Sequence, residues 1–91
     1  MKSYKFIISG KVQGVYYRKS ILNKAKAAKF SGYVKNLSDK TVEAVVTCEP
    51  NRLNSFVAIL KEGSINSDVQ DIQQFDHDER YEGQFKISYS I

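Results

Sequence analysis

The residues with the clearest chemical potential lie in the segment "GKVQGVYYR", which holds glycines at positions 10 and 14 and an arginine at position 18. Glycine adopts positive φ without steric penalty and lets a ligand approach the backbone closely. A tight loop that leads into a helix turns successive backbone N–H groups inward, and such a group of donors favours an anion. The planar guanidinium of Arg18 matches two oxygens of a phosphate. On these residues alone, a phosphate site competes with a simpler interpretation, a turn followed by a surface arginine.

The elements on either side of this segment follow from the spacing of apolar residues. Apolar and polar residues alternate over residues 2–9, which predicts a strand directly before the loop. Apolar residues recur at helical spacing after the loop, with lysines mostly off that stripe, which predicts an amphipathic helix over about residues 18–29. The segments "FSGYVKN" and "TVEAVVTC" flank the turn-rich "LSDK" and together predict a β-hairpin.

The second half of the chain predicts a helix and two further strands. Pro50 suits the first turn of this helix and Gly63 its C-terminal cap. The apolar residues of "DVQDIQQFD" are spaced by three, which is typical of a strand with a bulge. Strict alternation from Phe85 to Ile91 predicts a half-buried last strand. The order indicates an α+β fold, the ferredoxin-like βαββαβ sandwich, with an antiparallel sheet and two helices on one face.

Composition and charge narrow the class of protein. The 91 residues predict a single domain, residues 1–91, and 42% hydrophobic with 26% charged residues excludes a disordered chain. No apolar run approaches a membrane span and no signal peptide is recognisable, while the single cysteine, Cys48, fits a reducing cytoplasm. Residues 1–45 hold ten Lys or Arg against two Asp or Glu, and residues 46–91 hold four against eight. The basic half therefore carries the glycine loop, which suits an anionic ligand.

Two motifs resemble the signatures of the acylphosphatase family. "GKVQGVYYR" is similar to the first signature, Gly-x-Val-Gln-Gly-Val-x-aromatic-Arg, and "GYVKN" to the second, Gly-aromatic-Val-basic-Asn. The chain length, the element order and "YEGQFKI" near the end also fit, so the resemblance extends over essentially the whole chain. It implies that Arg18 binds the phosphate and that Asn36 positions the attacking water. It also implies a cradle of backbone N–H groups from Gln13, Gly14, Val15, Tyr16 and Tyr17.

The activity implied by this resemblance is hydrolysis of a small-molecule acyl phosphate to a carboxylate and inorganic phosphate, with no metal or other cofactor. A carboxylate with a pKa of about 4 leaves as an anion and needs no general acid. The phosphoryl group mainly requires charge neutralisation and positioning. No base is evident near Asn36 in the sequence, so we predict that the phosphate oxygens accept the proton of the water. The resemblance further implies a monomer without nucleic-acid or membrane partners.

Several residues depart from the family pattern. Tyr17 stands where phenylalanine or methionine is usual, and its hydroxyl needs a partner if it is buried. Lys40 replaces a glycine, which predicts either a different turn or a positive φ. Cys48 replaces the glycine that ends the second signature, and we interpret it as structural. His77 lies in the charged segment "DHDER" and is interpreted as a surface side chain.

Three alternatives remain open. RNA-recognition modules share the βαββαβ order and are often basic, but residues 41–47 contain no aromatic residue on which a base could stack. A phosphate-binding relative that has lost turnover is disfavoured by the presence of both Arg18 and Asn36. A domain of a larger carbamoyl-phosphate-processing protein is disfavoured by the short chain.

Overall fold

The computed structural model describes residues 1–89, which form five strands, two α-helices and one turn of 3-10 helix. In chain order these elements are β1 (Lys2–Lys11), α1 (Tyr17–Ala27), β2 (Ser31–Asn36), β3 (Val42–Cys48), the 3-10 turn (Pro50–Arg52), α2 (Leu53–Glu62), β4 (Asp68–His77) and β5 (Lys86–Ile87). The predicted order is confirmed, with the last strand divided into β4 and β5. The final two residues of the predicted terminal strand, 90 and 91, lie outside the described part of the chain.

The strands form one sheet in the order β4-β1-β3-β2-β5. Pairing is antiparallel between β1 and β3, between β1 and β4, and between β2 and β3. β5 pairs in parallel with β2, so the prediction of a wholly antiparallel sheet needs correction at this edge. The physical reason is the path of the chain. β4 runs opposite to β1, and one reversal of the chain after β4 gives β5 the direction shared by β1 and β2.

The core lies between the sheet and the two helices. Alternate residues of a strand point to the same face, and those of β1, β2 and β3 that are buried in the core contact the buried stripes of α1 and α2. Both helices therefore pack on one face, as the ferredoxin-like fold requires. Phe56 of α2 lies at the centre of an aromatic cluster, with ring centroids 5.7 Å from Phe6, 5.2 Å from Phe30 and 5.8 Å from Phe85. These contacts pack α2 against β1 and against the residues that directly precede β2 and β5.

The connection between β4 and β5 returns across the sheet. The backbone N–H of Tyr81 donates to Oγ1 of Thr47 at 2.9 Å, and the Tyr81 ring meets that of Tyr33 edge-on, with centroids 5.4 Å apart. The chain thereby passes from the β4 edge to the β2 edge, where β5 lies beside the loop that follows β1. No helix within residues 1–89 is long and apolar enough to cross a membrane.

The boundaries of the elements agree with their predicted signals to within a few residues. Gly63 ends α2 with a φ of 57°, as predicted for a C-terminal cap. The register between β1 and β4 shifts after Ser9, because Ser9 pairs with Asp71 and Gly10 with Val69. The irregularity predicted for β4 is therefore confirmed. Its cause is an extra residue on β4 that lets Val69 and Ile72 both pack against the core.

Candidate active site

An open cavity of about 530 Å³ lies where the β1–α1 loop (residues 12–16) meets β5. Its volume is in the usual range for small-molecule sites. Its lining residues come from the loop, the first turn of α1 and the last described residues: Val12, Gln13, Gly14, Tyr16, Tyr17, Arg18, Lys19, Ile87 and Tyr89. Five of the seven residues predicted for the site therefore line one cavity. Val15 and Asn36 do not line it.

The two glycines of the loop segment serve different purposes. Gly10 has a φ of 122°, and a Cβ there would lie 2.2 Å from the carbonyl oxygen of Asp68 in β4. This glycine is needed for the close approach of β1 and β4 at the bulge rather than for a ligand. Gly14 has a φ of 72°, and a Cβ there would meet nothing within 4 Å. Gly14 is thus the glycine that opens the backbone to the cavity.

The loop presents backbone donors that have no acceptor. The amide of Val12 donates to the Gly10 carbonyl at 3.1 Å, but the amides of residues 13–16 donate to no acceptor in residues 1–89. α1 begins after Tyr16, which caps the helix without a side-chain hydrogen bond, and its first turn contains no acidic residue. Helix N-termini normally receive an Asp, Asn, Ser or Thr cap, and their dipole favours negative charge. The loop and helix end therefore form a concentrated set of unpaired donors, which suits an anion.

Side chains from distant parts of the chain fix the loop. Nε2 of Gln13 donates to the carbonyl oxygens of Leu37 at 3.1 Å and Thr41 at 2.9 Å, at the two ends of the β2–β3 turn. Oγ of Ser64, in the segment after α2, donates to the carbonyl oxygen of Val15 at 2.6 Å. The loop is thus attached both to the hairpin that carries Asn36 and to the segment after α2.

Tyr17 anchors the beginning of α1 in the core. Its side chain is 1% exposed, and its hydroxyl donates to the carbonyl oxygen of Leu60 at 2.8 Å, in the last turn of α2. The buried Tyr17 hydroxyl therefore has the hydrogen-bond partner that the sequence analysis required. Burial raises the pKa of the Tyr17 hydroxyl far above its ordinary value. This tyrosine stays protonated and serves packing rather than proton transfer.

Arg18 is half-buried in the cavity wall with its charge uncompensated by any acid in residues 1–89. Its guanidinium carbon lies 5.5 Å from the centroid of the Tyr89 ring, a distance typical of a cation–π contact. The ring restricts the arginine without neutralising its charge. Arg18 is therefore free to bind an anion in the cavity, next to the unpaired amides of the loop.

Asn36 ends β2 and pairs with Val42 of β3. Its Oδ1 is buried and has no hydrogen-bond partner within residues 1–89. Leaving such an atom unpaired costs about 1–3 kcal/mol, so a polar partner such as a water is expected beside it. The next carbonyl along the chain, that of Leu37, accepts one of the Gln13 hydrogen bonds. Asn36 is thus connected to the loop through its neighbour Leu37 and the Gln13 hydrogen bond. Its side chain does not line the cavity.

Cys48, His77 and Lys40, which the sequence analysis also considered, do not line the cavity. Burial raises the pKa of the Cys48 thiol, which keeps it protonated and a poor nucleophile. The His77 ring stacks on Tyr81, outside the cavity. Lys40 has a φ of 72°, which is the second of the two outcomes expected at this position. No group of three or more His, Cys, Asp or Glu side chains in the described part of the chain is arranged to hold a metal ion.

The sequence did not identify every residue of the cavity. Ile87 and Tyr89 were expected only as one face of a strand, and the side chain of Gln13 was not singled out. Its position within the first motif, "GKVQGVYYR", was the only feature of the sequence that pointed to Gln13. Nothing local indicated that residues near position 89 return to a loop near position 14.

Comparison with known proteins identifies the family. The acylphosphatase family model matches residues 4–87. The acylphosphatase of Borrelia garinii subsp. bavariensis is 39% identical over an alignment of 93 residues, which covers 98% of this chain and 100% of that protein. The crystal structure of acylphosphatase from Bacillus subtilis superposes with a TM-score of 0.89 at 36% identity, covering 98% of this chain and 100% of that one. HypF of T. kodakarensis is 28% identical with a TM-score of 0.75, over 94% of this chain but only 12% of that one. The predicted resemblance is confirmed, and the chain belongs to the acylphosphatase family.

Proposed function

We propose that this acylphosphatase hydrolyses the carboxyl–phosphate bond of small-molecule acyl phosphates, giving a carboxylate and inorganic phosphate without a metal ion. The observation that supports this most directly is the convergence of unpaired amides and an uncompensated Arg18 on one cavity. Such an arrangement can neutralise the charge of a transferring phosphoryl group before the reaction begins. The names of the relatives agree with this substrate class.

In the proposed mechanism, the amides of Gln13, Gly14, Val15, Tyr16 and Tyr17 hold the phosphate oxygens. The guanidinium of Arg18 holds two of these oxygens at once. Asn36 holds a water whose oxygen attacks phosphorus, while the bond between phosphorus and the acyl oxygen breaks. The support for this role is the second family signature, because the Asn36 side chain does not line the cavity. The bonding electrons leave with the carboxylate, and a phosphate oxygen takes the proton of the water. A leaving group with a pKa of about 4 requires no acid for this step.

The surroundings of the candidate bases support proton transfer to the substrate. Asp39 accepts hydrogen bonds from the amide and the hydroxyl of Thr41, and these bonds lower its pKa. Its carboxylate therefore serves the turn, and a lowered pKa makes it a weaker base. His77 lies against Tyr81, away from the cavity. We expect Asp39→Asn and His77→Gln to hydrolyse benzoyl phosphate at the parent rate, and a large loss in either variant would contradict this proton path.

The decisive experiment is hydrolysis of benzoyl phosphate with a chelator present. We expect turnover by the parent, and its loss in Arg18→Ala and Asn36→Ala. Arg18→Lys keeps the charge but loses the planar fork, so we expect kcat/KM to fall at least about 10²-fold. Arg80→Lys is the matched control, because Arg80 is exposed and outside the cavity. Near-full activity in Arg18→Lys would show that charge alone is sufficient.

Two binding measurements, with inorganic phosphate and with RNA, separate the alternatives. A folded parent that binds inorganic phosphate without hydrolysing benzoyl phosphate would be a non-catalytic phosphate-binding relative. Salt-dependent binding of RNA would instead indicate a nucleic-acid partner.

We further propose that residues 1–91 act as a single monomeric domain in the cytoplasm, without nucleic-acid or membrane partners. The buried, free thiol of Cys48 fits a reducing compartment, and light scattering after gel filtration measures the oligomeric state.

A further inference from the structure

The cavity wall contains aromatic surface that the fold leaves uncovered. Within residues 1–89, the exposed large hydrophobic side chains are Met1, Tyr16, Ile65, Phe75 and Tyr89. Tyr16 is 83% exposed and Tyr89 is 77% exposed, and both line the cavity that holds Arg18. Ile87, which is partly exposed, adds apolar surface to the same wall. Exposed apolar surface gathered in one concave site is typical of a place where a ligand binds.

The backbone of Tyr16 gives independent support. Tyr16 has φ 61° and ψ 22°, a left-handed conformation that disfavours a bulky L residue. Its ring gains little from packing, because most of its surface is exposed. Glycine or asparagine would adopt this conformation more easily. Strain of this kind concentrates at active sites and ligand-binding segments, which supports a functional role for this position.

Tyr89 lies next to the group that holds the phosphate. The contact between the Arg18 guanidinium and the Tyr89 ring spans 5.5 Å, so a substituent on a phosphate bound at Arg18 emerges beside this ring. Lys19 also lines the cavity and could attract an anionic substituent. Its side chain is exposed, however, and salt screens exposed charges strongly. The wall therefore favours apolar acyl groups.

We propose that Tyr16 and Tyr89, together with Ile87, form an acyl-group subsite that selects acyl phosphates with an aromatic or similarly large apolar acyl group over those with a small one. This inference rests on the proposed function and deepens it by naming the substrate class. An aromatic acyl group would contact the two tyrosine rings edge-on or in an offset stack. An acetyl group is too small to cover either ring.

The test compares kcat/KM for benzoyl phosphate with kcat/KM for acetyl phosphate in the parent and its variants. Taking the ratio cancels the general effect of a substitution on the phosphate site, because both substrates share that site. We expect Tyr16→Asn, which tolerates the left-handed backbone, to lower the ratio about three- to tenfold. Tyr89→Ala should lower it similarly, and Tyr16→Phe should retain it. Ile65→Ala is the control, because Ile65 is 99% exposed and outside the cavity.

A binding measurement keeps the subsite testable when turnover is absent. By calorimetry, the parent should bind phenylphosphonate more tightly than methylphosphonate, and Tyr16→Asn should reduce that preference. An unchanged ratio in both tyrosine variants, or an equal affinity for the two phosphonates, would overturn the subsite. A parent that shows the phosphonate preference but hydrolyses neither acyl phosphate would overturn the proposed function and leave the subsite supported.

Discussion

Replacing Gln13 by methionine removes the direct connection between the β1–α1 loop and the hairpin that carries Asn36. Nε2 of Gln13 bonds to the carbonyl oxygens of Leu37 and Thr41, at 3.1 and 2.9 Å, and methionine has similar length but no donor. The two carbonyls lie 24 and 28 residues from Gln13 in the chain. No other hydrogen bond between described residues joins this loop to that turn.

The stability loss can be estimated from the two bonds. Each contributes about 0.5–1.5 kcal/mol, and the site is only partly buried, so water recovers part of the loss. We expect Gln13→Met to lower the free energy of unfolding by about 1–2 kcal/mol. In a domain of this size each kcal/mol lowers Tm by about 4–8 °C, which predicts a decrease of about 4–16 °C. Urea denaturation measures the first quantity and thermal unfolding the second.

The catalytic effect should appear in kcat rather than in KM. Asn36 adjoins Leu37, so loss of the connection lets the water-positioning amide move, and a displacement of about 1 Å costs on the order of 10²-fold in rate. Arg18 and the loop amides remain, so phosphate binding should persist. The assay is hydrolysis of benzoyl phosphate well below Tm, with Gln73→Met as control because Gln73 is an exposed glutamine of β4. Parental stability and parental kcat in Gln13→Met would refute this reasoning.

Gln13→Glu adds a pH-dependent form of the same test. Two carbonyl oxygens face the new carboxyl group, so the folded state favours its protonated form and raises its pKa above the ordinary value of about 4.3. A group whose pKa rises on folding contributes stability below its unfolded pKa and loses it as pH rises through the folded pKa. The stability deficit of Gln13→Glu should therefore be small in acid and grow towards neutral pH. A deficit independent of pH would mean that the side chain at this position leaves the turn.

Three further substitutions test the local structure around the site. Tyr17→Phe removes the donor to the Leu60 carbonyl and should lower the free energy of unfolding by about 1–2 kcal/mol, while an unchanged urea midpoint would show that this bond contributes nothing. Lys40→Gly relieves a φ of 72° and should raise stability by up to about 1 kcal/mol, so a lower Tm would contradict the strain argument. Asp39 has a pKa lowered by hydrogen bonds from Thr41, so it stabilises the fold above its unfolded pKa and loses this effect as pH falls. Asp39→Ala should therefore unfold at a lower temperature than the parent at neutral pH but not in strong acid.

The sequence by itself determined most of the elements and the chemistry of the loop. Apolar periodicity is set by neighbours two to four residues apart, and it located both helices and the four main strands. The sequence also predicted Gly14 and Arg18 as parts of an anion site, because their conformational and charge properties are local, and the structure brings both to one cavity. The positive φ of Lys40 was one of two outcomes expected from its departure from the family pattern, and the structure decided between them.

Only the tertiary structure decided which distant groups meet. The direction of β5, the contact of Tyr89 with Arg18 and the bonds of Gln13 to the β2–β3 turn all join segments far apart in sequence. The first motif offered both glycines for the approach of a ligand, yet Gly10 is needed where the β4 backbone lies close beside it. Each of these contacts depends on the order of strands in the sheet and on the path of the chain between its edges. Local periodicity carries no information about that path, because the same alternation fits any edge that a strand can reach.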